Sequence, residues 1–378
     1  MASRSPSRSA DVSPIHGAEH RYCSLRVTEP PRLPDGLAPN RARVLLVLAN
    51  KWANGTVLHY HFFTDPDRDG EMVTFTDGTQ EWRSWVGGED QRAVVREAFA
   101  AWKALGIGLA FEEVAERAEA EIRIGFMPGD GAWSYVGTDI LAQGPNERTM
   151  NFGWNLLGAD GMDTALHEIG HTLGLPHEHQ NPKAGIVWDE EAVYASLAAP
   201  PNRWSRDQTY HNIIRKIAPD SVQGSDWDRD SVMHYPFEAG LILVPEAYRT
   251  QPLIPAGGLS PRDVTWIRTF YPPIEGELPV LERGVSQMLE VAPGGQANFA
   301  VTPSATDRYH IQTFGACDTQ IVVFEEVAGT WRYLAADDDS GTDRNARVRV
   351  RLRRGRRYAV RVRLKHAAGA IRPAVMLW

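Results

Sequence analysis

The chain has 378 residues but only two cysteines, Cys23 and Cys317, which lie far apart. Two cysteines cannot build the disulfide framework that holds many small secreted proteins together, so burial of apolar side chains has to stabilise the fold. Neither cysteine belongs to a Cys-x-x-Cys pair, so the sequence suggests no zinc site made of cysteines.

Long apolar segments are also missing. The longest strongly apolar run covers residues 44–49, far short of the roughly 20 residues that span a bilayer. The first 14 residues are polar and rich in Ser and Arg, with no apolar segment of a secretory signal behind them. We therefore expect no membrane span, and either a protein that stays inside the cell or one exported by a route that the sequence does not display.

The net charge of −8 is unevenly distributed. Residues 281–378 carry 15 Lys and Arg against 10 Asp and Glu, which leaves 25 against 38 in residues 1–280. An acidic N-terminal part repels nucleic acid, so neither a nuclease nor a nucleic-acid partner is expected. The basic C-terminal part would suit an anionic surface, but evenly spaced exposed arginines without a target explain its charge as well.

Composition and pattern divide the chain into a tail and two domains, as its length also predicts. Residues 1–41 are rich in Pro, Ser and Arg without periodicity, and we interpret them as a tail or pro-segment. Residues 42–275 mix strand and helix patterns, residues 276–280 form a linker, and residues 281–378 alternate apolar and polar side chains in strands such as ARVRVRL. We predict an α+β protein whose C-terminal domain is all β.

Three helices are predicted in the larger domain. Residues 90–105 place apolar side chains at helical spacing. Asp163 is expected to cap the next helix, which carries the string HEIGH. Ser260 followed by Pro261 is expected to open the last one, through a cap and a proline at the first helical position.

The string HEIGHTLGLPH at residues 167–177 carries the strongest chemical signal. His167 and His171, four residues apart on a helix, project from one face and can hold one ion together. Gly174 can take the left-handed conformation that ends the helix, so that the chain turns back and offers His177 as a third ligand. Three imidazoles leave one position open for water, which is the arrangement of a catalytic zinc site.

Glu168 lies beside the first histidine and can take a proton from the zinc-bound water and hand it to the leaving amine. We therefore predict a zinc-dependent endopeptidase that binds one catalytic zinc ion and hydrolyses peptide bonds in proteins or peptides. A chance match of five positions is one alternative. A binding module that keeps zinc for structure alone is another, although such a site has no use for a base.

A second string, SVMHYPF at residues 231–237, resembles the methionine turn of the metzincin metallopeptidases. Glu178 directly after the third histidine, the segments GAWSYVGTDI and KWANGTVLHYHF, and the closing LSPRDVTWIRTFY are together similar to the astacin family. The resemblance covers residues 42–275. Another metzincin family is the alternative, and Tyr235 and Glu178 distinguish the two.

The astacin resemblance implies a metzincin catalytic domain, in which a twisted mixed sheet and the zinc-binding helix border a deep cleft. Met233 would form an apolar floor beneath the metal, and Tyr235 would be a switchable fifth ligand that stabilises the oxyanion, unless it is only a packing residue. Glu178 would tie down the N-terminus of the mature enzyme, unless it is a plain surface residue. Residues 149–152 would form an edge strand that pairs with an extended substrate.

The family also implies secretion, and we expect a monomer. One departure weakens the first expectation. Ala132 stands where many astacins have a cysteine, and no disulfide partner follows. An oxidising destination is therefore not supported by the residues, although the chemistry of the site is unaffected.

The C-terminal segment AADDDSGTDRNARVRVRLRRGRRYAVRVR loosely resembles the β-sandwich pre-peptidase C-terminal domains of secreted bacterial proteases. The carboxylates of Asp337, Asp338 and Asp339 are oxygen ligands of the kind that calcium takes. A solvated acidic turn explains the same three residues without a ligand.

The tail carries a candidate for holding the enzyme latent, as a zymogen. The tail precedes the catalytic domain and could pass across the cleft. A thiolate is a strong zinc ligand, so Cys23 would then occupy the position that the catalytic water needs. Astacins more often use an aspartate of the pro-segment, which makes Asp35 in LPDG a competing candidate. A loose tail with an incidental thiol is the third alternative.

Overall fold

A computed structural model describes residues 21–26, 51–52, 54–75, 77–217, 226–273, 278–292, 294–327, 330–367 and 372–378. The predicted start of the catalytic domain at residue 42, the competing latency candidate Asp35 and two of the five residues of the predicted linker lie outside these ranges. Within them, no helix is both long enough and apolar enough to cross a bilayer.

The N-terminal domain is built from short strands and helices. Its described strands are β1 (Val57–Phe62), β2 (Gly70–Thr74), β3 (Gln80–Ser84), β4 (Ala110–Glu113), β5 (Ile122–Gly125), β6 (Trp133–Ser134), β7 (Met150–Asn151), β8 (Val187–Trp188) and β9 (Ile242–Val244). Its described α-helices are α1 (Glu89–Ala104), α2 (Gly161–Thr172), α3 (Glu190–Ala198), α4 (Arg206–Thr209) and α5 (Pro261–Phe270).

Five of these strands form one mixed sheet in the order β4-β1-β5-β7-β6. Strand β1 runs parallel to β4 and β5, and β5 runs parallel to β7, whereas β6 pairs antiparallel with β7. The two edge strands of this sheet are therefore β4 and β6. The prediction that residues 149–152 form the edge is wrong, because β6 covers β7 on its outer side.

Helices α1 and α2 bury their apolar sides in a core that they share with this sheet. Val95, Phe99 and Trp102 recur at helical spacing on α1 and are all buried. The Trp102 indole also donates a hydrogen bond to the Leu166 carbonyl at 3.1 Å, which fixes α1 to α2. Burial of each such side chain stabilises the fold by about 1.5–3 kcal/mol.

A second core lies on the other side of the site. It gathers aromatic residues from the segments after α2, among them Trp188, Tyr235 and Phe237, together with Tyr22 and Cys23 of the tail. The first core contains Ile169 of α2 and Met233 of the methionine turn. The candidate site thus lies where two separately packed cores meet, the position expected for a cleft between subdomains.

The described strands of the C-terminal domain all pair antiparallel within its two sheets. They are β10 (Ser286–Met288), β11 (Gln296–Val301), β12 (Asp307–Phe314), β13 (Cys317–Val327), β14 (Thr330–Asp337), β15 (Arg347–Leu352), β16 (Tyr358–Ala367) and β17 (Ala374–Leu377). The two four-stranded sheets, β10-β17-β12-β15 and β11-β16-β13-β14, enclose a common apolar core. In β15 the valines at 348 and 350 are buried while the arginines at 349 and 351 are exposed, as alternation predicts. The all-β prediction is confirmed.

The outer face of the second sheet touches the catalytic domain. The buried Arg361 guanidinium on β16 lies against Gly55, and its carbon is 4.9 Å from the centroid of the Phe324 ring. Gln296 on β11 donates a hydrogen bond to the Asn54 carbonyl at 3.5 Å. The two domains therefore meet next to the start of β1.

Two predicted helix starts have different outcomes. Ser260 caps α5 through a capping box with Asp263, and Pro261 is the first helical residue, as predicted. Asp163 does not cap α2, because that helix begins at Gly161 and its cap residue, Asp160, makes no capping side-chain bond. The carboxylate of Asp163 instead accepts a hydrogen bond from the Gly258 backbone at 2.8 Å.

Candidate active site

Helix α2 and the turn behind it bring the three predicted histidines together. His167 and His171 lie one turn apart on its buried side. Gly174 has a φ of +88°, so it ends the helix in the left-handed conformation, and its N–H donates to the His171 carbonyl at 2.8 Å. The chain then reverses and carries His177 to the same point.

The ring nitrogens of these histidines converge. Nε2 of His171 lies 3.1 Å from Nε2 of His167 and 3.1 Å from Nε2 of His177. Tetrahedral zinc with bonds of about 2.0–2.1 Å separates its nitrogen ligands by about 3.3 Å. Nδ1 of His167 lies 2.8 Å from the Val232 carbonyl, and Nδ1 of His171 lies 2.8 Å from that of Leu175. Those carbonyls hold the proton on Nδ1, which leaves Nε2 free for a metal.

The protonation states of the three imidazoles also suit a cation. Burial lowers the pKa of His167 to about 4. Burial lowers the pKa values of His171 and His177 well below the usual range, and charge repulsion from the neighbouring histidine rings is the second cause. All three rings are therefore neutral at physiological pH and offer lone pairs, and the residues present fit a zinc ion.

Glu168 faces the same point from α2. Its side chain is fully buried, and its Oε1 has no hydrogen-bond partner in the part of the chain that the structure describes. Burial raises the pKa of this carboxyl to about 8. A divalent cation beside this carboxylate would favour its charged form and so lower the raised pKa. The two opposite effects allow the group to exchange a proton near neutral pH.

Tyr235 and Met233 lie on the methionine turn below the helix. The Tyr235 hydroxyl is 2.5 Å from Nε2 of His177 and donates to the Cys23 carbonyl at 2.7 Å. Met233 is 2% exposed, and its sulfur lies over Gly170 of α2. The turn thus supplies one polar group at the metal point and one apolar group beneath the helix.

Glu178 binds the methionine turn rather than solvent. Its backbone N–H donates to the Met233 carbonyl at 3.0 Å, and its Oε1 accepts from the Asp228 backbone and the Asn181 amide, each at 3.0 Å. Burial raises the pKa of the Glu178 carboxyl to about 7. The partner predicted for it, the N-terminus of a processed chain, lies outside the described residues.

Sequence reasoning missed a network that orients the first histidine. Asp263, the capping-box residue of α5, accepts hydrogen bonds from the Ser231 hydroxyl at 2.6 Å and from the Val232 N–H at 2.8 Å. The Val232 carbonyl in turn lies 2.8 Å from Nδ1 of His167. The cap of α5 could be predicted from the sequence, but the second contact of Asp263, to the distant methionine turn, could not.

The tail runs through the site. Cys23 is 5% exposed, its sulfur lies 3.5 Å from Oε2 of Glu168, and it forms with His167, His171 and His177 a set of ligand atoms within 4.8 Å of one another. Burial, and then the Glu168 charge, raise the pKa of the Cys23 thiol. A coordinated metal would reverse that shift, because a metal-bound thiol is deprotonated.

Neighbouring tail residues hold this segment in place. The Ser24 N–H donates to the Ala132 carbonyl at 3.1 Å, beside edge strand β6. The Tyr22 ring packs edge-on against Tyr235 with centroids 5.2 Å apart. The Arg26 guanidinium lies 4.1 Å from the centroid of a Trp133 ring. Backbone, aromatic and cationic contacts therefore surround Cys23 on both sides.

The predicted calcium site is not supported. Asp337 hydrogen-bonds the Ser340 side chain and the Arg347 backbone and stays outside the acidic cluster, which Asp318 forms with Asp338 and Asp339. The buried Lys365 ammonium makes an ion pair with Asp338, so a cationic group of the chain already accompanies these carboxylates.

Fold and site together define a zinc metallopeptidase of the metzincin class. Comparison with known proteins narrows the class. The sequence profile of the astacin family of peptidases matches residues 84–242. The solved structure of myroilysin is 30% identical, with a TM-score of 0.50, over 60% of this chain and 97% of the myroilysin chain. The chain belongs to the astacin family.

Curated relatives are longer than the matched region. Metalloendoproteinase 1-MMP of Arabidopsis thaliana is 28% identical over 144 residues, which is 33% of this chain and 39% of that protein. Bone morphogenetic protein 1 of Xenopus laevis is 28% identical over 158 residues, 40% of this chain and 19% of that protein. The chain therefore spans well under half the length of these two relatives, and the likeness concerns the peptidase domain.

Proposed function

We propose that the chain is a zinc endopeptidase in which His167, His171 and His177 hold the metal and Glu168 is the catalytic base. One observation carries the proposal. Three neutral imidazole nitrogens converge at metal-ligand spacing, and a carboxyl group without a described hydrogen bond on Oε1 faces the same point. A structural zinc site would need a fourth permanent ligand and no base.

Zinc, when bound, would supply a Lewis acid that lowers the pKa of a water molecule and polarises the substrate carbonyl. Glu168 takes one proton from the attacking water as the carbon–oxygen bond forms. It then delivers that proton to the amide nitrogen as the carbon–nitrogen bond breaks, so that the products are a carboxylic acid and an amine, which become a carboxylate and an ammonium when the second proton of the water passes to the amine.

Tyr235 is proposed to stabilise the oxyanion. Its hydroxyl donates to the carbonyl oxygen of Cys23, a backbone group beside the metal ligands. Once the tail has left, the same hydroxyl would donate to the oxygen that becomes negative during attack. Because the tail pairs with the Ala132 carbonyl, an extended substrate is expected to pair along β6.

The test is cleavage of casein with and without a chelator, in the wild-type chain and in the Cys23→Ser chain. Glu168→Gln should bind about one zinc per chain and lose nearly all turnover, since its ligands remain and the base is absent. Glu97→Gln, an exposed carboxylate on α1, serves as the control. Near-native cleavage by Glu168→Gln would refute the assigned base.

A finer proposal concerns latency: Cys23 is the fourth ligand and blocks the site. Support comes from its sulfur, which lies within 4.8 Å of all three histidine ligand atoms, and from the bonds that hold Ser24 and Tyr22. Asp35, the competing candidate, lies outside the described residues. Bound there, the thiolate would exclude the water that attacks the substrate.

Activity of the chain as made distinguishes the alternatives. Cys23→Ser should cleave casein at once, whereas the wild type should need removal of the tail or a thiol-blocking reagent. Cys317→Ser, which removes the other buried thiol, should stay latent like the wild type. Equal activity of wild type and Cys23→Ser would end the proposal.

A further inference from the structure

A cavity of about 590 Å³ opens directly beside the metal ligands. Its walls are the first turn of α2, the methionine turn and the segment around Ile254 and Pro255, and it reaches His167 and Glu168. A peptide whose scissile carbonyl lies at the histidines would place an adjacent side chain here. The chemistry of the walls therefore bears on which side chain is accepted.

Hydrogen-bond acceptors dominate the ionisable groups of this cavity. Asp160 and Asp163 line it from the start of α2. Asp160 is exposed and makes no capping bond, and Asp163 uses Oδ1 for the Gly258 N–H. Neither carboxylate forms an ion pair with a described basic residue, since none is within 4.0 Å. Their negative charges are therefore open to a ligand.

His234 adds a buried acceptor on the methionine-turn wall. It lines the cavity, is 4% exposed, and its Nδ1 lies 2.7 Å from the Tyr235 carbonyl. That contact places the proton on Nδ1, so Nε2 is an acceptor. Nε2 has no hydrogen-bond partner among the described residues. A buried acceptor without a partner favours a ligand that donates a hydrogen bond.

A basic side chain of the tail also lines the cavity. Arg21 contributes to its walls, and its guanidinium carbon lies 5.9 Å from the centroid of a Trp154 ring. No other described Lys or Arg lines this space. Arg21 lies two residues before Cys23. In the proposed latent form of the chain, its cationic side chain therefore contacts the same walls that a substrate side chain would meet.

We infer that this cavity selects a basic substrate side chain, Lys or Arg, next to the cleaved bond, and that Asp160 and Asp163 are the specificity-determining residues. The inference rests on the proposed peptidase function. Opposite charge at two partly solvated carboxylates favours such a side chain, and the long apolar stem of Lys or Arg fits beside Ile254 and Pro255.

The first experiment uses the full chain with Cys23→Ser and peptides that differ at one position next to the scissile bond. We expect kcat/KM for Lys to exceed that for Glu by about tenfold, because each exposed ion pair changes binding by up to about fivefold. Asp160→Asn and Asp163→Asn should each reduce this ratio about threefold, and Glu97→Gln should leave it unchanged. A ratio near one, or a preference for Glu, would overturn the inference.

If no peptide is cleaved at all, the proposed function fails, and a measurement without turnover decides the inference. In the zinc-loaded full chain with Cys317→Ser, the rate of Cys23 alkylation reports how often the tail leaves the cleft. Arg21→Glu should raise that rate at least about threefold, while Arg21→Lys should leave it unchanged. Equal rates in all three chains would overturn the preference for a cation.

Discussion

Gly170 lies within helix α2, and we predict that only a residue without a side chain fits at this position. Replacing it by Ala would normally stabilise a helix interior by about 1 kcal/mol. Here a Cβ would collide with the Met233 sulfur and lie 3.3 Å from its Cε and 3.5 Å from a ring carbon of Trp102. Overpacking of a close-packed core costs about 1–3 kcal/mol. We expect a net loss of about 1 kcal/mol.

Thermal unfolding measures this effect. A loss of about 1 kcal/mol lowers Tm by about 2–4 °C in a domain of this size. Met233→Ala alone should cost about 2–5 kcal/mol through the cavity it leaves, and adding Gly170→Ala should then be neutral or stabilising, because the new methyl group has room. Gly158→Ala, whose Cβ would meet nothing within 4 Å, is the control. A Tm for Gly170→Ala at or above that of wild type, with no coupling to Met233, would contradict the predicted steric conflict between the two residues.

Three further outcomes are expected. Tyr235→Phe, assayed in the Cys23→Ser chain, should lower kcat by roughly 10²–10³ with little change in KM, because its bond forms mainly in the transition state; unchanged kcat would mean that Tyr235 only packs. Gly55→Ala should cost more than about 1 kcal/mol in a denaturant titration, since Gly55 has a φ of +88° and the Arg361 guanidinium lies where the new Cβ would be. Gly78→Ala is the control: Gly78 has a φ of +82° and open space around it, so this variant measures the cost of backbone strain alone. An equal cost at both positions would exclude a contact with Arg361. Burial, and then the Arg363 charge, lower the pKa of Lys51 to about 6. Between pH 6 and about 10 the unfolded chain therefore binds more protons than the folded chain, and stability rises with pH by at most about 1.4 kcal/mol per unit. Lys51→Met should remove that part of the slope in melts between about pH 6 and 9, and an unchanged slope would contradict the burial of this ammonium.

The convergence of the three histidines was largely predictable because its signal is local. Two histidines at i and i+4 share a helix face by geometry alone. A glycine at position 174, just after the predicted helix, is typical of the left-handed conformation that ends a helix. The cap of α5 was equally local, since Ser260, Pro261 and Asp263 act on one another within a single turn.

Contacts between distant segments could not be predicted in the same way. The start of α2 was placed at Asp163 because an aspartate before an apolar stripe is typical of a cap. In the folded chain, that carboxylate instead accepts a hydrogen bond from the Gly258 N–H. Strands β6 and β7 have only two residues each, too few for a pattern of alternation, so the edge was assigned to residues 149–152 from the family resemblance alone. The position of Cys23 followed from zinc chemistry as one of three alternatives, and only the fold brings it to the histidines.

Zinc K-edge X-ray absorption of the 378-residue chain identifies the atoms around the metal and so tests the proposed ligand set. We expect three nitrogen ligands and one sulfur at about 2.3 Å. Cys23→Ser should lose the sulfur and keep the nitrogens, while Cys317→Ser should match the wild type. A wild-type spectrum with nitrogen and oxygen alone would contradict the assignment of Cys23, and one without three nitrogen ligands would contradict the site formed by His167, His171 and His177.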